Sequence, residues 1–448
     1  DKIKCINTVK IKPLKHQEIV SNFLLKDNNK GLLLFHNVGS GKTITSLFSA
    51  KLLLDKYPNK KILIITPTSL VENYNKEIKK LNIDFKDSLT IYSYGIFVNL
   101  LKEGKMKMCS KNILIIDEAH NFVNNGIRSK YIMKCARKAF KILLLTASPL
   151  KNTPLDIINL LAMINKEKDI KDLKRRLKVI MKNNLDKEFD KLFKCKVSFF
   201  KANDLSNYPS STEHNINLIM TQEYYKEYYK IENNIREDLP EIFLNTKNLI
   251  SFLNGARRAV NKVNLTSPKI IWTINKIKED LKNDKKVLIY SAWKSAGINI
   301  LKKYLKEHKI IFSEVSGGLS KETRNKLVNN YNDNKTKIML ITASGTEGLD
   351  LKETRSIIIL DQHWNETRIH QIIGRGIRYK SHANLPLSKR HVDIYYLYLN
   401  KPEKKYIDDN TPGADTILKT IAENKSIEII NFYKKLEKIS IEKNSKCL

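Results

Sequence analysis

Glycine is scarce in this chain, 15 residues in 448. Where two fall close together, the backbone needs freedom that other residues deny it. Four pairs stand out between apolar runs: Gly39 with Gly41, Gly317 with Gly318, Gly345 with Gly348, and Gly374 with Gly376. Cysteine is sparse too: Cys5, Cys109, Cys135, Cys195 and Cys447. No two stand at metal-ligand spacing, which argues against a structural zinc site. Scattered thiols predict a reduced protein without disulfides, cytoplasmic or nuclear. Long apolar runs are also missing. No segment reaches the ~20 apolar residues of a membrane span, and DKIKCINTVK at the N-terminus has no apolar signal core. Neither a membrane nor a secretory address is expected. The chain starts at Asp1 rather than Met, which leaves open that it is part of a longer one.

Acidic residues are outnumbered, 47 Asp and Glu against 81 Lys and Arg, for a formal net charge of +34. Such a surplus attracts polyanions and predicts salt-dependent binding to nucleic acid. Abundant Lys, Asn and Ile are also what an AT-rich coding sequence produces, so the excess is divided between two causes.

What is present is an alternation. Apolar runs GLLLF (31–35), KILIIT (61–66), LTIYSY (89–94), NILIID (112–117) and KILLLT (141–146) alternate with helical stretches. The scheme repeats in VLIYS (287–291), KIIFSEV (309–315), KIMLIT (337–342), SIIILD (356–361) and VDIYYLYL (392–399). Short continuous apolar runs separated by helices read as buried parallel strands. The expectation is an α/β chain with two parallel-sheet domains in tandem, 1–164 and 266–402. A Lys- and Tyr-rich helical insert (165–265) would lie between them, with a helical tail (403–448) after them.

NVGSGKT (37–43) follows one strand and precedes a helix. A Gly-rich turn at a helix N-terminus offers backbone N–H groups to phosphate. Gly39, Ser40 and Gly41 would cradle it, Lys42 would hold the β- and γ-phosphates, and the Thr43 hydroxyl would ligate Mg²⁺. The pattern usually opens with Gly or Ala, and here that position is His36. IIDEAH ends at His120, at the C-terminal end of a strand, where parallel sheets place their ligand crevice. Asp117 would hold Mg²⁺ and Glu118 would activate the attacking water.

These motifs, in this order, resemble the superfamily 2 helicase-type ATPases, whose fold is two RecA-like domains. The resemblance runs from Lys12 to His382. PLKHQ (13–17) resembles the segment that reads adenine, through Gln17. TPTSLVENY (66–74) resembles the motif that grips a nucleic-acid backbone, with Thr66 and Pro67. LTASPLKN (145–152) resembles the Swi/Snf-like form of the motif that links hydrolysis to movement, and it implies coupling through His120, Thr146 and Ser148. ITASGTEGLDL (341–351) resembles the motif touching both ATP and nucleic acid, which implicates Thr342, Thr346, Gly348 and Asp350. QIIGRGIR (371–378) resembles the motif with Gln371 and the arginine fingers Arg375 and Arg378. An always-charged, bidentate guanidinium suits a departing γ-phosphate, and closure of the cleft would couple that chemistry to motion. The segment GTEGLDLKETRSIIILDQHWNETRIHQIIGRGIRYKSHANLP and DEAHNF (117–122) resemble the ATPases of large cytoplasmic DNA viruses. These include the poxvirus early transcription factor small subunit and nucleoside triphosphate phosphohydrolase I, and related helicases of yeast cytoplasmic linear plasmids.

The resemblance implies an ATP- and Mg²⁺-dependent translocase, with DNA favoured over RNA as its track. A viral or plasmid RNA polymerase or transcription-factor subunit would be its partner. A strand-separating helicase and a promoter-binding factor using ATP as a switch are the rival readings. QEYYKEYYK (222–230) stacks bases or, by its i, i+4 spacing, packs a helix, and packing is favoured. Arg257 and Arg258 are equally suited to phosphate contact and to a helix surface. KDLKRRLK (171–178) is the denser phosphate-contact candidate.

Overall fold

The apolar runs become parallel strands. The computed structural model describes residues 12–37, 40–110, 112–124, 126–150, 153–201, 208–236, 254–345, 349–363, 366–378, 380–403, 407 and 411–447. The chain divides into two compact units, Asp1–Asn203 with Lys425–Leu448, and Asp204–Asn424.

In the first unit the strands are β1 (Gly31–His36), β2 (Ile62–Thr66), β3 (Leu89–Ser93), β4 (Ile113–Ile116), β5 (Lys141–Thr146) and β6 (Val197–Phe200). They form one sheet in the order β3-β2-β4-β5-β1-β6, and every pairing is parallel. Parallel neighbours need crossovers. Helices Lys42–Lys56, Thr68–Leu81, Tyr94–Lys102 and Ile127–Lys138 supply those between β1 and β5. Both faces are covered: Leu33 and Phe35 enter one buried cluster, Leu32 and Leu34 the other. That is why these strands read as unbroken apolar runs. Helices Ile158–Asn165, Ile170–Lys182 and Asp186–Phe193 then lead to β6.

In the second unit β7 (Ser210–Ile219), β8 (Lys286–Ser291), β9 (Phe312–Val315), β10 (Ile338–Thr342), β11 (Thr354–Ile359) and β12 (His391–Asn400) form a second parallel sheet, ordered β7-β12-β11-β8-β10-β9.

The structure departs from the sequence expectation in four places. First, β6 and β7 lie inside the expected helical insert. That insert is divided, its first part closing the first sheet and β7 extending the second. β7 hides from periodicity because it is polar and mostly exposed, and pairing with β12 over ten residues defines it. Second, the expected strand from Lys309 begins only at Phe312. Helix Asn299–Glu307 ends in a left-handed turn, with Lys309 at φ 53 and the Ile310 amide bonded back to the Leu305 carbonyl, and this consumes the first residues. Third, the helical tail is present as helix Ala414–Lys438, but the boundary between the units falls within it, so 403–448 is divided between them. Fourth, the cysteines are not isolated. Cys109 bonds Cys135 and Cys195 bonds Cys447. Partners 26 and 252 residues apart are joined by tertiary packing, which spacing rules do not see.

The tyrosines of 222–230 are packing. Tyr224, Tyr225 and Tyr228 are buried, and the Tyr224 hydroxyl donates to the Ala259 carbonyl at 2.6 Å. Arg257 is buried and donates to the Gln362 carbonyl at 3.1 Å, whereas Arg258 is exposed. Both guanidiniums lie over the Trp293 ring, at 5.2 and 4.7 Å. Among the described residues, no helix is long and apolar enough to cross a membrane.

Candidate nucleotide site

The loop after β1 turns into helix Lys42–Lys56 through Gly41, whose φ is +77. Only glycine takes that conformation cheaply. A Cβ there would stand 2.8 Å from Gln17 Nε2, so the Gln17 side chain lies directly against the turn. Gln17 is itself held by its own helix start, its Oε1 accepting from the Leu14 amide at 2.9 Å. The neighbouring His16 meets the Ser40 carbonyl through Nε2 at 3.0 Å. Lys42 Nζ donates to the carbonyls of His36 and Asn37, each at 3.0 Å. Thr43 stands at the first turn of the helix, where N–H groups lack helical acceptors. Gly39 lies outside the described residues.

β4 ends beside this turn. Asp117 is buried, and burial together with the neighbouring Glu118 charge pushes its carboxyl up to about 7. Its Oδ1 accepts from the Glu118 amide at 2.9 Å and its Oδ2 from the Thr66 hydroxyl at 3.4 Å. Two adjacent carboxylates offer the oxygen donors that a hard divalent cation takes. The Tyr94 hydroxyl donates to the carbonyls of Asp117 and, at 3.1 Å, of Glu118, pinning the turn between them.

Glu118 has φ 48 and is partly exposed. His120 Nδ1 lies 3.1 Å from Glu118 Oε2 and 3.1 Å from the Thr146 hydroxyl. Thr146 Oγ1 in turn accepts from the Ser148 amide at 3.1 Å. One line of contacts thus runs from the end of β4 to the end of β5.

The structure therefore places Gln17, Ser40, Gly41, Lys42, Thr43, Asp117, Glu118, His120, Thr146 and Ser148 at or against the C-terminal ends of β1, β4 and β5. Thr66, expected on the nucleic-acid side, is fully buried at the end of β2 and lies against Asp117. Its hydroxyl is spent on Asp117. Pro67 is half-buried at the start of the next helix. Tyr94 and His16 were not singled out from sequence, although His16 abuts Gln17.

In the second unit Gln371 and Arg375 are half-buried on helix Glu366–Gly376. Gly376 lets that helix approach the sheet, since a Cβ would meet Ile357 Cδ1 at 3.1 Å. Arg378 Nη1 pairs with Asp350 at 3.2 Å and donates to the Leu349 carbonyl at 3.3 Å. Thr342 is buried at the end of β10, its hydroxyl 3.3 Å from that of Ser344. Thr346 and Gly348 lie outside the described residues.

Two parallel sheets, each with its crossover helices, define tandem RecA-like domains. The chain belongs to the superfamily 2 helicase-type ATPases, in the group found in large DNA viruses, and is an ATP-hydrolysing enzyme of that type. The family described as "Type III restriction enzyme, res subunit" matches residues 10–151, and "Helicase conserved C-terminal domain" matches 269–380. A protein of Acanthamoeba polyphaga mimivirus named for ATP-dependent RNA helicase activity is 33% identical, over 96% of this chain and 97% of its own length. Nucleoside triphosphatase I of Choristoneura fumiferana entomopoxvirus is 25% identical, over 94% of this chain and 79% of its own. The helicase domain of Pyrococcus furiosus Hef shares the fold, with TM-score 0.51 at 15% identity, covering 86% of this chain and 95% of that one.

Proposed function

We propose that this chain hydrolyses ATP in response to DNA and uses the cycle to move along it or displace what is bound there, in the service of viral or plasmid transcription. The contact line from Glu118 through His120 to Thr146 and Ser148 carries the reading. It joins the acid at the attacking water to the segment that would report on the track, and coupling follows if the two sites bias this line between two arrangements.

Each part has a task. N–H groups of the turn at 39–43 hold the phosphates. Lys42 leaves its two carbonyl partners for the β- and γ-oxygens. Gln17 reads adenine. Thr43 and Asp117 would hold Mg²⁺, which when bound neutralises phosphate charge. Glu118 accepts the proton of the attacking water, and His120 orients its carboxylate. Gln371, Arg375 and Arg378 answer the charge that develops on the γ-phosphate, with Gly348 and Asp350 beside them. Pro67, Thr342 and Thr346 serve the nucleic-acid backbone, whose contacts set position and not sequence.

The test is the ATPase rate with Mg²⁺, alone and with single-stranded DNA, duplex DNA or RNA, beside Lys42→Ala. Stimulation by DNA that vanishes in the variant supports the proposal. Stimulation by RNA alone would favour the second reading, an RNA track, which the name of the mimivirus relative supports. A forked duplex then separates translocation from unwinding.

A further inference from the structure

His36 stands where the phosphate-binding pattern usually has a small residue, yet its side chain is fully buried. Its Nε2 meets the Ser198 hydroxyl at 2.7 Å. Ser198, on β6, donates its own proton to Glu442 Oε1, and Glu442 Oε2 accepts from the Phe199 amide at 2.9 Å. The directions follow from the donors available. A carboxylate only accepts, so Ser198 must spend its proton there and offer a lone pair to His36. His36 is then the neutral tautomer carrying its proton on Nε2. The same residue's carbonyl accepts from Lys42 Nζ at 3.0 Å. A continuous path thus leads from Glu442, near the end of the chain, to the phosphate-binding lysine.

β6 is an edge strand, and residues 440–447 close it. The Ile441 amide donates to the Val197 carbonyl at 3.0 Å, and the Cys195–Cys447 bond fixes the segment at its far end. β6 serves the loop at a second point. Phe200 stacks on His16 with ring centroids 3.7 Å apart, and His16 holds the Ser40 carbonyl. Both ends of the loop are therefore braced by imidazoles that lean on β6.

We propose that Glu442 is a positioning residue for the nucleotide site, acting through Ser198 and His36 on the loop and Lys42, and that the Cys195–Cys447 disulfide keeps it in place. The proposal rests on the reading of 37–43 as the nucleotide loop. A pre-organised loop binds more tightly because less order has to be created on binding. Releasing the segment loosens the end of β1 and the anchor of Lys42, and nucleotide affinity falls. Reduction by a dithiol transfers two electrons and two protons to the Cys195–Cys447 bond and yields two thiols, while the dithiol closes to its cyclic disulfide. The enzyme then has two affinity states set by thiol chemistry.

The experiment uses the full chain and measures the Kd of a fluorescent ATP analogue, KM and kcat for ATP, and the melting temperature. Variants are Ser198→Ala, Glu442→Ala, Glu442→Gln and Cys447→Ser, each with and without dithiothreitol. Expected are a Kd and KM raised about 5- to 20-fold in Ser198→Ala and Glu442→Ala, with kcat within about twofold, the loss of a pre-organising contact being worth on the order of 1–2 kcal/mol. Glu442→Gln, which keeps one acceptor oxygen, should lie between. Dithiothreitol should raise the Kd of the unaltered chain by a similar factor. It should do nothing further to Cys447→Ser, which starts at the raised value. Lower melting temperatures with Kd and KM unchanged would overturn the proposal, leaving a purely structural role. So would an unaltered chain whose Kd ignores the reductant, and that measurement stands even if a variant fails to fold. Lys42→Ala separates the two readings. If it binds the analogue normally, the loop assignment fails. If it loses binding while the Ser198 and Glu442 variants keep theirs, only the positioning claim does.

Discussion

Glu118 holds a left-handed backbone at φ 48, which costs a non-glycine residue about 1–3 kcal/mol and persists only where its surroundings impose it. The Tyr94 hydroxyl on the flanking carbonyls is what imposes it here. Glu118→Gln should keep nucleotide binding and lose ATP turnover by roughly 10²- to 10⁴-fold, the usual size of a general-base contribution. Phosphate release measured beside nucleotide binding checks both halves, and substantial turnover in the variant would remove Glu118 from the chemistry. His120→Ala, which frees the Glu118 carboxylate it orients, should lower basal hydrolysis less than Glu118→Gln does and abolish its stimulation by nucleic acid. If stimulation survives, the line to Thr146 does not couple. Histidines also set a pH limit. His16, His36 and His382 are buried, and burial holds each below the ordinary value of 6.5. The unfolded chain protonates them first. The stability of the neutral folded forms is complete above pH 6.5 and is lost as pH falls through that value toward the folded ones, by up to about 1.4 kcal/mol per histidine per pH unit. Urea unfolding at pH 7.5 and 5.5, compared with His382→Gln, measures it.

At the scale of elements, the second unit hangs its long helix on a buried ion pair. Lys269 Nζ lies 2.6 Å from Asp415 Oδ2, both side chains out of solvent, and donates to the Leu360 carbonyl at 2.8 Å. Asp415 also accepts from the Leu399 amide at 2.8 Å. The pair ties the start of helix Ala414–Lys438 to the end of β12 and to helix Pro268–Lys282. Lys269→Ala strands a buried carboxylate and should cost about 3–5 kcal/mol. Lys269→Ala with Asp415→Asn should recover part of that loss in denaturant titrations, and no recovery would place the cost in packing instead. Elements also mark how far the sequence could be followed. Strands buried on both faces announce themselves, and β1, β2, β4, β5, β8 and β10 lie where their apolar runs predict. β7 carries no such mark, because one neighbour and much solvent leave it polar. β6 is four residues long, and its meaning lies in Ser198 and Phe200, which nothing nearby in the chain singles out.

For the whole molecule, a formal charge of +34 predicts nucleic-acid binding that weakens steeply with salt, log K falling linearly with log salt concentration. Fluorescence anisotropy on one oligonucleotide across a salt series gives the slope and so the number of phosphates engaged. A flat response would show that the surplus is compositional and not functional. The sequence alone determined the two α/β halves and the family, and it marked the Gly-rich turn at 37–43 and the acidic pair Asp117 and Glu118 on which the proposed function rests. Those features depend on short range: a strand, a turn and a helix start adjacent in the chain, where local backbone preference and apolar pattern suffice. Only the tertiary structure decided the joining of Cys195 to Cys447, the turning of Thr66 onto Asp117, the reach of Glu442 to Ser198, and the placing of β7 beside β12. Each depends on residues distant in sequence becoming neighbours when the sheets assemble, and a contact of that kind leaves no pattern in the residues on either side of it.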